Sequence, residues 1–296
     1  MAWRWTVVVA MVLGVPAVIP AQASAAAPTI KVLSSRADLV SAGQALVELS
    51  TPTTKGLHVA VGGRDVTKAF ALRTTGRVQG LVEGLRVGPN ALTARVNDGR
   101  VGRLTITNHP NGGPVFTGPQ VQPWRCPAGS RDKQCNRPPQ YTYLYRSIDP
   151  SKAGLQSYNR EAPPADVATT TTDQGVTVPF VVRLELGYQA RDQYKVLTLF
   201  DPTKRWTRWT PQRAWNHKVL VTGGGGCGGG YGSSSAPLED FSGTFGETQG
   251  RPDSYIDALG RGFAVMSTAL ANTGHNCNVA TEAEALMMLK EHVIEQ

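Results

Sequence analysis

The sequence predicts an all-β sandwich followed by an α/β domain, and three observations carry that expectation. From about Pro28 to Asn108, short apolar runs alternate with turn residues and no helical period intervenes. From Val176 onward the rhythm changes to a pair of long β-type runs, then strand-like and helix-like stretches in alternation, which implies a sheet with a parallel part. Inside that second part the β-branched run Val219-Leu220-Val221-Thr222 breaks into seven glycines in eight residues, Gly223 to Gly230, interrupted by Cys227.

The first 25 residues read as a secretory signal. Arg4 stands in a short n-region, an apolar run from Thr6 to Ile19 follows, and small residues at Ala21-Gln22-Ala23 and Ala23-Ser24-Ala25 suit a signal peptidase. Pro16 interrupts the run, which is too short to span a bilayer, and no later stretch reaches the roughly 20 apolar residues a spanning helix needs. The mature protein is expected to be exported, with no transmembrane segment. In 28–110 the clearest strands are 30–33, 45–49, 57–61, 91–96 and 103–107, separated by Ala42-Gly43, Gly62-Gly63, Gly88-Pro89-Asn90 and Asn97-Asp98-Gly99. Such recurrence describes a small Ig-like sandwich. It holds no cysteine and no cluster of catalytic residue types, so packing or surface attachment is its expected role, with His58 on an exposed face.

Residues 111–175 form a proline- and glycine-bearing linker and a cysteine-looped segment with Trp124, Tyr141, Tyr143 and Tyr145. These aromatics are either a substrate-stacking platform or packing beside a disulfide, since their burial is large in both cases. The α/β part, 176–296, opens with an antiparallel hairpin whose arms are 176–186 and 194–200 and whose turn is 187–192. Lys218 to Thr222 is the next strand and reads as buried on both faces. Residues 252–259 form a short helix stopped by Gly260, and 263–267 a further buried strand. Thr281 and Glu284 make a capping box for a last helix with the apolar stripe Leu286, Leu289, Val293 and Ile294.

Four cysteines suit an oxidising compartment. They allow three pairings; local closure favours Cys126–Cys135 and Cys227–Cys277. A metal site is the alternative, but there is no C-x-x-C and no paired-histidine spacing, so no metal and no cofactor are expected. One of the 30 basic residues, Arg4, falls in the signal, which leaves 29 against 22 acidic residues and a net charge of +7. The basic clusters at Arg131, Lys133 and Arg137 and at Lys204, Arg205, Arg208 and Arg213 suit anionic envelope polymers or acidic substrates, or are simply a solvated surface. No nucleic-acid-binding motif accompanies them.

The glycine run admits several readings. Backbone without Cβ atoms can approach a ligand closely, and successive bare N–H groups form a concave site for negative charge. In acyl transfer that charge is the oxyanion of a tetrahedral intermediate. Gly223, Gly225 and Gly228 satisfy the dinucleotide spacing, yet the chain continues through Ser233-Ser234-Ser235 rather than opening a helix, as that motif requires. A P-loop is excluded, because no lysine lies between Lys218 and Lys290. A plain flexible loop remains open.

The segments Trp215-Asn-His-Lys-Val-Leu-Val-Thr-Gly-Gly-Gly-Gly-Cys, Leu259-Gly-Arg-Gly-Phe-Ala-Val-Met-Ser-Thr and Asn272-Thr-Gly-His275 resemble secreted esterases of the tannase and feruloyl-esterase kind, with the α/β-hydrolase fold. Together with Thr107 to Gln120, the whole mature chain is similar to a group of long secreted bacterial proteins assigned to that fold. The resemblance implies that Gly225, Gly226, Cys227 and Gly228 supply oxyanion donors and that His275 lies near the site. It also implies a serine on a G-x-S-x-G elbow after the last helix, and no such elbow occurs in these 296 residues. Ser233 to Ser235 and Ser267 lack the elbow's context, and His217 and His292 precede a strand and sit on a helix. The expectation is therefore an incomplete α/β-hydrolase-type domain: the N-terminal portion of an exported carboxyl-ester hydrolase, inactive alone, whose completed form takes a small ester or polymer. The alternative is a non-catalytic secreted protein binding a glycan or an aromatic ligand.

Overall fold

The computed structural model describes residues 26–97, 99–120, 122–224, 228–238, 254–271 and 275–296. The expected signal peptide lies outside them. The first nine strands are β1 (Ile30–Val32), β2 (Val40–Ser41), β3 (Gln44–Leu49), β4 (Leu57–Val61), β5 (Arg64–Asp65), β6 (Phe70–Leu72), β7 (Val78–Glu83), β8 (Gly88–Val96) and β9 (Gly102–His109). They form two sheets, ordered β1-β3-β7-β6 and β2-β9-β8-β4-β5. Alternation sends Val47 and Leu49 of β3, and Leu57, Val59 and Val61 of β4, into one shared apolar core, while His58 faces solvent. Strand β7 escapes a reading by alternation because Gly80 stands in its middle. The ring of Phe70 crosses there, and a Cβ on Gly80 would meet it at 2.8 Å.

The second part contains β10 (Gln140–Arg146), β11 (Leu155–Ser157), β12 (Thr169–Thr171), β13 (Thr177–Pro179), β14 (Val181–Gln189), β15 (Asp192–Leu199), β16 (Val219–Val221), α1 (Ser254–Gly260), β17 (Ala264–Thr268) and α2 (Val279–Glu295). Its main sheet runs β11-β10-β14-β15-β17-β16, antiparallel as far as β17 and parallel between β17 and β16. On one face Val182, Leu197, Leu199 and Val265 pack with Ile256 and Leu259 of α1. On the other, Tyr194, Val196 and Met266 pack with Leu289 and Val293 of α2. No helix among the described residues is long and apolar enough to cross a membrane.

Four local expectations are corrected. The β14–β15 turn is not 187–192 but the two residues Ala190 and Arg191, at φ 52° and 67°. Gly187 belongs to β14, where the Tyr194 ring of the neighbouring strand lies over it. Strand β16 is not buried on both faces: it ends the sheet among the described residues, and Val219 and Val221 are 38% and 47% exposed. Helix α2 is capped by Asn278, whose side chain accepts from the amides of Ala280 (3.0 Å) and Thr281 (3.2 Å), rather than by Thr281 with Glu284. Of its expected apolar stripe only Leu289 is fully buried and Ile294 is exposed, whereas Glu284, Glu291 and Glu295 are buried.

Candidate active site

The tight Ala190-Arg191 turn makes Asp192 the first residue of β15 and points it inward, fully buried. Left-handed backbone at two non-glycine residues is disfavoured and persists only where surrounding contacts hold it. Here the Ala190 amide donates to the Asn111 carbonyl (2.8 Å), and the Arg191 carbonyl accepts from Trp124 Nε1 (3.1 Å) and Ser233 Oγ (2.6 Å). A buried carboxylate is costly unless donors surround it. Asp192 Oδ1 accepts from the amides of Gln193 (2.8 Å) and Ser234 (2.7 Å), and Oδ2 lies 2.9 Å from His275 Nε2.

His275 stands beyond β17 and the turn Ala269–Ala271, with its side chain 12% exposed. Its hydrogen bond to Asp192 raises its pKa above the ordinary imidazole value, outweighing the opposing effect of burial. The ring meets the edge of Trp124 (centroids 6.3 Å apart, planes at 67°) and lies directly against Gly230, where a Cβ would fall 2.3 Å from Cε1. Glycine is required there by close approach rather than by flexibility. The Gly230 amide donates to the His275 carbonyl (2.9 Å) and Gly229 bridges Asn276. Further along, the Arg125 amide donates to the Tyr231 carbonyl (2.9 Å) and the Ser233 amide to the Arg125 carbonyl (3.0 Å).

Residues 229–234 are therefore held on three sides: Gly229 and Gly230 to Asn276 and His275, Tyr231 and Ser233 to Arg125, and Ser234 to Asp192. Gly230, His275, Asn276 and Trp124 line a cleft of about 130 Å³ that also touches Arg191, Asn278 and Thr281. The Arg191 guanidinium lies 4.6 Å over the Trp124 ring. In the wall of the cleft, Glu284 Oε2 accepts the amides of Val115, Phe116 and Thr117 at 2.8–2.9 Å, which anchors the linker to α2. The charged groups at the cleft offset one another: the His275 imidazole faces the Asp192 carboxylate, and the Arg191 guanidinium shares the wall with the Glu284 carboxylate.

One family's sequence pattern, described as a tannase-like family of unknown function (DUF6351), matches residues 30–296. The chain belongs to the tannase-like family. No curated protein matches it.

In this tannase-like chain the site residues expected from sequence are only partly accounted for. Gly225, Gly226 and Cys227 lie outside the described residues; Gly228 is described and half-buried. His275 is brought to the loop, clamped by Asp192. Cys126 and Cys135 form a disulfide, and Cys277 is disulfide-bonded as well, the Cys227 half of its expected pair lying outside the described residues. Of the aromatics, Trp124 joins the cleft, Tyr145 is buried with its hydroxyl 2.9 Å from Asp166, and Tyr141 is exposed. His292 pairs instead with buried Glu185 (2.7 Å) on α2 and β14. Ser233 and Ser234 use a side chain and an amide to hold the β14–β15 turn. Among the described residues no group of His, Cys, Asp and Glu is placed to hold a metal ion. Asp192 escaped sequence reading because it sits among turn-forming residues, and its role is set by partners 42 and 83 positions away.

Proposed function

We propose that this tannase-like chain is the front portion of an exported carboxyl-ester hydrolase: an Ig-like sandwich, then the first strands of an α/β-hydrolase-type domain. The strand order carries the reading. β17 is inserted between β15 and β16 and runs parallel to β16, so the sheet order reverses where these two strands end. In open α/β sheets, ligands bind outside the carboxyl ends of strands at such a reversal. The glycine segment leaves β16 at that end and His275 follows β17 to the same place. In this reading Gly225, Gly226, Cys227 and Gly228 present N–H donors to the oxyanion of an ester under attack. His275 and Asp192 are positioning residues that hold the loop in register. The attacking serine belongs to a G-x-S-x-G elbow that these 296 residues do not contain. The family's tannase likeness supports ester chemistry, and the signal-like start and the Cys126–Cys135 disulfide support export.

The test is turnover of p-nitrophenyl acetate. The 296-residue chain is expected to show none above buffer. A longer chain extended through the downstream coding sequence is expected to hydrolyse the ester and to lose activity when its elbow serine becomes alanine. Turnover by the 296-residue chain that disappears in Ser234→Ala would overturn the proposal.

A further inference from the structure

The cysteine loop stands between two supports of the cleft. Residues 126–139 belong to no strand or helix, so hydrogen bonds and the Cys126–Cys135 disulfide set their course. Before the loop, Trp124 Nε1 donates to the Arg191 carbonyl, and Arg125 bridges Gly232 through the two backbone bonds that hold Tyr231 and Ser233. After the second cysteine, Asn136 Oδ1 accepts from Asn111 Nδ2 (2.6 Å), which also donates to the Tyr188 carbonyl (3.1 Å). The Asn111 carbonyl in turn accepts the Ala190 amide, so Asn136 reaches the turn that delivers Asp192. Gln134 lies directly against Gly112, where a Cβ would fall 2.6 Å from Gln134 Cβ, and the Arg137 guanidinium lies 5.2 Å over the Tyr188 ring.

The two supports thus sit at opposite ends of one loop. Asp132 organises its second half, accepting from the amides of Gln134 (2.9 Å) and Asn136 (3.2 Å) and from Asn136 Nδ2 (2.8 Å), while the Arg131 amide donates to the Asn136 carbonyl (2.8 Å). Between that half and residues 126–128 run the exposed bond from Arg137 to the Ala128 carbonyl (3.1 Å) and the disulfide, whose Cys135 end is fully buried. An exposed hydrogen bond competes with water, whereas a covalent bridge removes conformations outright. The disulfide is therefore the main constraint on how the Arg125 support stands relative to the Asn136 support.

We propose that the Cys126–Cys135 disulfide is a redox-sensitive positioning device for the cleft: it fixes the two supports, so that Asp192 clamps His275 against the glycine segment in the oxidised chain and releases it in the reduced one. A dithiol breaks the S–S bond, each cysteine sulfur takes up one electron and one proton, and the dithiol leaves as a cyclic disulfide. Thiols stay reduced in the cytosol and oxidise in extracytoplasmic compartments. The site of an exported hydrolase would then assemble only after the chain leaves the cytosol. That last consequence rests on the ester-hydrolase reading above; the device itself does not.

The experiment is an NMR titration of the histidines in the purified full chain, native and as the Cys126→Ser, Cys135→Ser double variant, which leaves the disulfide of Cys277 in place. The His275 pKa, raised in the native chain, is expected to fall toward the ordinary 6.5, and the amides of Ser233 and Ser234 to exchange with solvent about tenfold faster or more. His58 on the sandwich and His292 beside Glu185 should titrate as in the native chain. Asn136→Ala keeps the disulfide and removes the bond to Asn111, so it should lower the His275 pKa even if the double variant does not fold. An unchanged His275 in a folded double variant or in Asn136→Ala would overturn the proposal, as would His58 and His292 shifting together with it. None of these readouts involves ester turnover, so their failure is distinct from failure of the proposed activity.

Discussion

Asp192 shows how much of the site depends on one side chain. Its two carboxylate oxygens hold the amides of Gln193 and Ser234 and the ring of His275, so three separate segments meet on a fully buried charge. Hydrogen bonds to charged groups contribute about 1.5–3 kcal/mol each, and an orphaned partner costs more. Asp192→Asn keeps the shape but removes the charge, so it should destabilise the chain by about 2 kcal/mol. His275 is the more diagnostic readout. Its folded pKa is raised by Asp192, so the pair stabilises most fully below the ordinary value of 6.5, and that contribution fades as pH rises through the raised one. An NMR titration of the imidazole should show a lower pKa in Asp192→Asn, and the stability gap between the two proteins should narrow in alkali. A gap that widens with pH would contradict the ion-pair account.

At the scale of elements, α2 is unusual in burying carboxyl groups where a sequence reading expects leucines. Glu291 accepts from the Ser41 amide (3.1 Å) and Oγ (2.6 Å), and Glu295 from Ser34 Oγ (2.7 Å), so the helix is docked onto the N-terminal β unit through two acids. Burial pushes Glu291 up to about 7, against the lowering effects of Ser41, Lys290 and His292. It pushes Glu295 up to about 8, helped by Glu291 and opposed by Ser34 and Gln44. Both folded values exceed the ordinary 4.5, so the folded chain keeps protons that the unfolded chain releases first. Stability from this interface is therefore fully present below the ordinary 4.5 and falls as pH rises from there to about 7 for Glu291 and about 8 for Glu295, with a slope of up to about 1.4 kcal/mol per pH unit for each group. Urea midpoints measured across that range should decline in the native chain and stay nearly level in the Glu291→Gln, Glu295→Gln double variant. Equal slopes in both would remove the two acids as the cause. The periodicity of α2 was legible, but its buried face was not. An i, i+3, i+7 pattern of apolar residues reports where oil-like surface recurs, and says nothing of serines some 250 positions away that turn glutamates inward.

At the scale of the whole molecule, the sheet among the described residues ends on β16, a short strand with Val219 and Val221 exposed. An apolar, β-branched edge with unpaired backbone groups is a template for association. Val221→Lys should reduce concentration-dependent light scattering while changing stability by only about 0.5 kcal/mol, as for other exposed positions. Unchanged scattering would show that the edge is not the contact. The same edge borders the glycine segment, so the exposed strand and the candidate active site belong to one region of the tannase-like chain.

What the sequence determined by itself is local: five strands of the β unit (β1, β3, β4, β8 and β9) from alternation, the β14–β15 pairing from two facing runs, the glycine segment after an apolar strand, and the Cys126–Cys135 bridge between residues nine apart. Burial of apolar surface is non-directional, so its period survives in the chain whatever the partners are. Tertiary structure alone decided that β17 inserts between β15 and β16, that Asp192 clamps His275 against Gly230, and that Glu284, Glu291 and Glu295 face inward. Each of those outcomes rests on hydrogen bonds or close approach between distant segments. Such contacts are directional and short-ranged, and they exist only once the fold has brought both partners together.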